Sequence, residues 1–195
     1  MTRQRKPAAE RKEQIVDEAM RLAAELGPDR MTTQKLADAV GISQAAIFRH
    51  FPSKKEIWQA VAARIGSTMP AKIMQSDAPA MERLRAIVAR QFAFIVKTPA
   101  IPAILYSREL HAENEALREK FATMQARRHA LFTSLFQSAI DVGDLKEINA
   151  EDAAALTLAL IQGLSMRWSL EQRRFDLVAE GTRLLEFQLS GYAAA

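Results

Sequence analysis

Gln44 and Arg49 stand five positions apart in the run QAAIFRH, and each can hold a flat hydrogen-bonding edge with two bonds at once. A glutamine amide offers a donor beside an acceptor, and a guanidinium offers a fork of donors that fits a guanine edge or a phosphate. The residues around them include alanines, which permit close approach to a surface. The chemistry is therefore recognition, not bond breaking. The remaining inventory agrees: there are three histidines, no cysteine, and no HExxH, GxSxG or phosphate-loop pattern. His111, Glu113 and Glu115 are metal-ligating residue types, but the pair with helical spacing, His111 and Glu115, spans the expected break between two helices. No catalytic residue, metal ligand or cofactor is expected, and an enzyme is the weaker reading.

A helix over Gln44 to about Phe51 places Ile47 and Phe51 on one face and Ala45 and Arg49 on the opposite one, with Ala46 and Phe48 between them. The two bulky residues would anchor against Leu36, Val40 and Ile42, leaving Gln44, Ala45, Ala46 and Arg49 to meet a partner. The elements that must hold this helix are marked by their ends. Thr32 or Thr33 can cap a two-turn helix with Leu36, Ala37 and Val40 inside. Gly41 ends that helix, and Ser43 caps the next. Pro52 then forces an exit, and Ser53-Lys54-Lys55-Glu56 is a capping box opening a helix through Ile57, Trp58, Val61 and Ile65. Before all of these, Ile15, Ala19, Leu22, Ala23 and Leu26 mark a first helix from about Ala8 to Leu26, broken by Gly27-Pro28-Asp29. Two short helices meeting at a glycine form a helix-turn-helix. An ordinary corner of a helical bundle has the same periodicity, so periodicity alone does not separate the two.

Helical spacing continues through the chain, and no segment alternates apolar and polar residues, so the fold class is all-α. Helices are expected over about 80–97, 101–111, 115–140, 150–173 and 175–190. The mixed stretch 67–80 is the best domain boundary, giving an amino-terminal domain of residues 1–68 and a carboxy-terminal one of 69–195. The longest mostly apolar run, AAALTLALI at 153–161, falls far short of the roughly 20 residues a spanning helix needs. With a polar, basic start and no cysteine, the expectation is a cytoplasmic protein without a membrane span. Net charge is +4, and residues 1–60 hold 11 basic and 8 acidic side chains against 16 and 15 in the remainder. Most of the excess thus sits in the first third, where it suits a polyanion but also a plain solvated face.

The order of these features carries more than their number. The stretch MTTQKLADAVGISQAAIFRHFPSKKEIWQAV resembles the DNA-binding domain of the TetR family of bacterial transcriptional regulators, over roughly Arg11 to Ile65. The resemblance implies that Thr33 and Lys54 hold phosphates on either side of the major groove, with His50 assisting. It also implies that Gln34, Gln44, Ala45, Ala46 and Arg49 lie nearest the bases. Phe48 departs from the family pattern, in which a tyrosine hydroxyl more often reaches a phosphate, so Phe48 contacts DNA only through its ring, if at all. Arg3, Arg5, Lys6, Arg11 and Lys12 make a basic arm that could follow the backbone or the minor groove.

Beyond residue 70 the resemblance is one of architecture: a helical domain that dimerises and usually holds a small effector. From the residues themselves, the helix from Ala150 is apolar nearly all round and the last helix adds Leu177, Val178, Leu184, Leu185, Phe187 and Leu189, which together suit a two-fold four-helix interface. Phe92, Tyr106, Phe121, Met124, Met166 and Trp168 are the candidates to line an apolar pocket, although a Met or aromatic at helical spacing is more often plain core. Arg108, Glu109 and His111 are polar groups that could orient a ligand, but the simpler reading is that they face solvent. The expectation is a homodimeric regulator of inverted-repeat sites in double-stranded DNA, most simply a repressor released by a small apolar or aromatic effector. The alternative is a helix-turn-helix protein that acts without an effector, in chromosome organisation or protein binding.

Overall fold

The structure is a computed structural model that describes residues 7–67 and 77–194. Ten helices run through those residues: α1 Ala8–Leu26, α2 Thr33–Val40, α3 Gln44–His50, α4 Lys54–Ser67, α5 Ala80–Lys97, α6 Ala100–Leu105, α7 Arg108–Glu113, α8 Glu115–Asp141, α9 Ala150–Leu170 and α10 Leu177–Ser190. No strand occurs among the described residues, although an isolated antiparallel bridge pairs Leu145 with Ala193. The all-α expectation therefore holds. Residues 1–6 and 68–76, which include Arg3, Arg5, Lys6 and most of the expected boundary, lie outside the described residues.

Local chemistry accounts for the ends of the first helices. Thr32 Oγ1 accepts from the Lys35 amide at 3.1 Å, so of the two threonines it is Thr32 that caps α2. Gly41 adopts the left-handed conformation, with φ at 71°, and the Ile42 amide reaches back to the Ala37 carbonyl at 3.0 Å. This is the terminating pattern that glycine alone adopts without strain. Ser43 Oγ accepts from the Ala46 amide at 3.2 Å to open α3, and Ser53 Oγ from the Glu56 amide at 3.3 Å to open α4.

Two compact units result, and they do not follow chain order. Residues 1–68 cluster with residues 103–121, whereas 69–102 cluster with 122–195. The first unit thus contains α1 to α4 together with α7 and the opening of α8. In it α1 packs on α2, α3 and α4, around Ile15, Ala19, Leu36, Ala37, Ile47, Ile57 and Val61. Two caps fasten the later segment to the earlier one. Ser107 Oγ accepts from the Leu110 amide at 3.0 Å to open α7, and donates to Asp29 Oδ1 at 2.9 Å in the turn after α1. Asn114 Oδ1 accepts from the Leu117 amide at 3.1 Å to open α8, while its Nδ2 donates to the Lys55 carbonyl at 3.3 Å. Both caps are buried.

In the second unit α5, α9 and α10 pack together. Phe92 is fully buried there, with Leu84, Val88, Phe132, Phe136 and Ala154 also in the core of that unit. Its ring lies against the backbone of α10 at Gly181, where an added Cβ would meet Phe92 Cε2 at 2.2 Å. Asn149 caps α9 through the amides of Glu151 and Asp152, and Asp176 caps α10 through those of Val178 and Ala179. Two boundaries differ from the sequence reading. The helix expected over 101–111 is two, because the chain leaves the helix at Tyr106 and Ser107 restarts it. The helix expected to reach Arg173 stops at Leu170, because Gln172 and Arg173 take positive φ values of 55° and 64°.

Candidate nucleic-acid interface

α3 is only seven residues long, too short to be stable by itself, so its placement depends on packing. Ile47 supplies that anchor as a fully buried side chain, and Phe51 follows at the helix end with Lys12 Nζ 5.5 Å from its ring centre. Ile42 is half-buried in the turn. On the outer side Ala45, Phe48 and Arg49 are exposed, and Gln44 and Ala46 are half-buried. The exposed Phe48 ring, 41 % accessible, has no hydroxyl to offer a phosphate.

One hydrogen bond ties the start of α3 to the start of α2. Gln44 Nε2 donates to Thr33 Oγ1 at 2.7 Å, across 11 residues. The Thr33 hydroxyl uses an acceptor site in this bond and keeps its proton to donate outward, while Gln44 keeps its carbonyl oxygen and a second N–H. Gln34 Nε2 donates to Asp38 Oδ1 at 2.8 Å along α2, leaving the Gln34 carbonyl oxygen outward. Lys54 is half-buried at the first position of α4.

His50 closes the far end of α3. Burial pushes its imidazole below the usual range, and the charges of Arg11, Lys12 and Arg49 push it further. The ring therefore favours its neutral form at pH 7. Arg11 and Lys12, read from the sequence as part of an arm, belong to the first turns of α1 and extend this basic cluster. Their link to His50 was not visible in sequence, since nearly forty positions separate them.

A capped three-helix unit with small residues and an exposed arginine facing outward is the framework of a known group of regulators. Residues 15–61 match the family profile of bacterial regulatory proteins of the tetR family, and residues 80–190 match that of the BetI-type transcriptional repressor carboxy-terminal domain. The chain belongs to the TetR family. As a TetR-family member it is a DNA-binding transcriptional regulator and not an enzyme. Its relatives include the nucleoid occlusion factor SlmA of Haemophilus influenzae, 28 % identical over 170 residues, covering 85 % of this chain and 78 % of the relative. SlmA of Vibrio vulnificus is 33 % identical over 114 residues, covering 56 % and 58 %. The fold is shared with a TetR transcription regulator from Haloarcula marismortui at a TM-score of 0.79 and 18 % identity, over 95 % of this chain and 99 % of the other. It is shared also with FadR from Bacillus subtilis in complex with stearoyl-CoA, at 0.74 and 23 % over 92 % and 98 %. A regulator from Saccharomonospora viridis in complex with choline gives 0.78 and 22 % over 96 % and 99 %. Among the described residues no helix is long and apolar enough to cross a membrane.

The six pocket candidates of this TetR chain fall in different places. Tyr106 and Phe121 belong to the first unit, with Phe121 edge-on to His111 at 5.5 Å. Phe92, Met124, Met166 and Trp168 belong to the second. Phe92 is sealed against Gly181, and buried Trp168 donates its indole N–H to the Phe175 carbonyl at 3.1 Å. Met124 and Met166 are half-buried. Arg108 is exposed, in line with a solvent-facing group, and it lines a solvent-open cup together with half-buried His111 and Tyr106. The signal available was the density of polar and aromatic residues between Tyr106 and Arg118.

The Thr33 hydroxyl gives a clean test of how this face works. Thr33→Val keeps the side-chain shape and removes the Gln44 acceptor together with any phosphate bond. Operator affinity, read by fluorescence anisotropy, is expected to fall about tenfold, as loss of one or two hydrogen bonds implies. The slope of affinity against salt should stay unchanged, because no cation is lost. A changed slope would mean that Thr33 acts by displacing one of the basic side chains.

Proposed function

We propose that the protein is a homodimeric, sequence-specific repressor that binds an inverted repeat in double-stranded DNA and is released by a small effector with an apolar or aromatic body. In this reading residues 1–68 read DNA and residues 69–195 dimerise and respond to the effector, within the cytoplasm. The observation that carries it is the outward face of α3, where Ala45, Phe48 and Arg49 stand exposed on a helix pinned from behind by Ile47. Thr33 and Lys54, with His50 assisting, hold phosphates. Gln34, Gln44, Ala45, Ala46 and Arg49 address base edges, and Phe48 packs on the sugar. The stearoyl-CoA and choline complexes of two neighbours of the same fold support a role for a small ligand.

A single short helix buries too little surface for tight specific binding, which favours a dimer reading two half-sites. The exposed side of the second unit supports that. Along α9, Ala155, Leu156, Ala159, Gly163 and Leu170 face outward, and on α10 Phe187 is 76 % exposed. Small residues beside large apolar ones suit close packing of two copies. Phe187→Glu is accordingly expected to convert a dimer into a monomer in sedimentation velocity, and to weaken operator binding with it. A wild-type chain that sediments as a monomer, or a variant that stays dimeric, would remove this part of the proposal.

The second reading, a helix-turn-helix protein that acts without an effector, draws support from the SlmA relatives, which are named for nucleoid occlusion. Selection of bound sites from random duplex DNA by the purified protein tests the main reading. Enrichment of one inverted repeat is expected. Salt-sensitive binding with no enriched sequence would sink the operator-binding reading.

A further inference from the structure

Between α6, α7 and the first turn of α8 lies a cup of about 390 Å³, open to solvent and contained within the first compact unit. That volume lies in the range that holds small organic ligands. Its described lining is Leu105, Tyr106, Arg108, His111, Ala112 and Arg118, so two cations and two aromatic rings stand on otherwise apolar walls, and no carboxylate is among these described lining residues. Among the described residues no hydrogen bond or ion pair engages Arg108. Arg118 gives one N–H to Glu115 at 3.1 Å and has further N–H groups left. The His111 ring is fixed in the wall: Nε2 donates to the Leu105 carbonyl at 3.0 Å and Phe121 meets the ring edge-on. An aromatic wall fixed this way is formed before any ligand arrives, which lowers the cost of ordering it.

The helices that form the cup are the ones fastened to the DNA-binding helices. Ser107, between Tyr106 and Arg108, caps α7 and holds Asp29 in the turn between α1 and α2. Asn114 caps α8 and holds the carbonyl of Lys55, the neighbour of Lys54. Any movement of α7 that closes Arg108 on a ligand pulls on both bonds. We propose that this cup binds a small organic anion, a carboxylate or phosphate on an apolar or aromatic body. Its occupancy is passed to α2 and α4 through the Ser107–Asp29 and Asn114–Lys55 bonds. The inference rests on the operator-binding reading for its consequence, but not for the binding itself. It places the effector beside the DNA-binding helices and gives it a charge.

The test is calorimetric titration of the full chain with benzoate, phenyl phosphate and uncharged benzyl alcohol. The anions are expected to bind and the alcohol not to. Arg108→Gln, with an unchanged melting temperature and unchanged ligand-free operator binding, should weaken the anions about tenfold through loss of a charge-assisted contact. The tighter of the two anions identifies the head group. Ser107→Ala should keep anion binding and shrink the effect of the anion on operator affinity. Equal binding of benzyl alcohol, unchanged anion affinity in Arg108→Gln, or no binding of either anion would each overturn the site. Anion binding by a chain that selects no operator would instead defeat the regulator reading and leave the site standing. Full anion control of operator affinity in Ser107→Ala would overturn the coupling route.

Discussion

Gly181→Val is expected to lower the stability of the folded chain by about 3 kcal/mol or more in urea denaturation, a large share of what a domain commonly has. The cause is specific. A Cβ at position 181 would sit 2.2 Å from Phe92 Cε2, and Phe92 is fully buried in the second unit, so the ring cannot swing into solvent. Either α5 and α10 separate or the ring leaves its rotamer, and both undo packing that holds that unit together. Gly181→Ala should be milder, since the clash is offset by about 0.5–1 kcal/mol from replacing a helical glycine with alanine. Phe92→Leu alone should destabilise by leaving a gap, yet in the Gly181→Ala background it should cost less, because the smaller side chain makes room for the new methyl. Additive effects in that double-mutant cycle would show that the two residues do not share the site. If Gly181→Val melts as the wild type does, the close approach of α5 and α10 is wrong.

The second large effect concerns DNA. Arg49→Ala is expected to reduce affinity for the selected operator by about 10- to 100-fold, the range for losing one bidentate base contact, and to relax preference at the position it reads. Arg49 is exposed on α3 and has no bonded partner among the described residues, so its removal leaves no orphaned group and should not move the melting temperature. Selecting sites again with the variant separates a base contact from a phosphate contact. A base contact gives degeneracy at one position of each half-site. A phosphate contact gives the same site with uniformly weaker binding and a smaller salt slope. A variant that binds the original operator as tightly as the wild type would exclude Arg49 from the interface.

The first four helices were legible because their ends are written in side chains that act locally. Gly41, Ser43 and Ser53 each work within a few residues of themselves, so sequence order suffices to place them. The break at Ser107 was not legible for the converse reason. Tyr106-Ser107 contains neither glycine nor proline, and the hydroxyl that restarts the helix is held by Asp29, 78 residues earlier. This bond and the one from Asn114 to the Lys55 carbonyl tie residues 103–121 to the amino-terminal helices. The bond between Gln44 and Thr33 lay closer to hand, but only the fold shows that the two side chains meet. For Phe92 and Trp168, residue type favoured core over pocket but did not separate the two. What separates them is depth and partner, Gly181 for one and the Phe175 carbonyl for the other.

The way α3 is pinned also bears on how such a protein can change its target over evolutionary time. Ile47 secures the helix from behind, so if α3 reads an operator as proposed, substitutions at Ala45 and Arg49 would alter what is read with little penalty to folding, and those positions would be free to drift with the operator. Gln44 does not have that freedom, because its amide shares the Thr33 hydroxyl at 2.7 Å. If Thr33 holds a phosphate as proposed, a lineage that exchanges Gln44 would have to re-establish that hold in the same step. New specificities should therefore arise first at positions 45 and 49, and reach position 44 only where position 33 changes too.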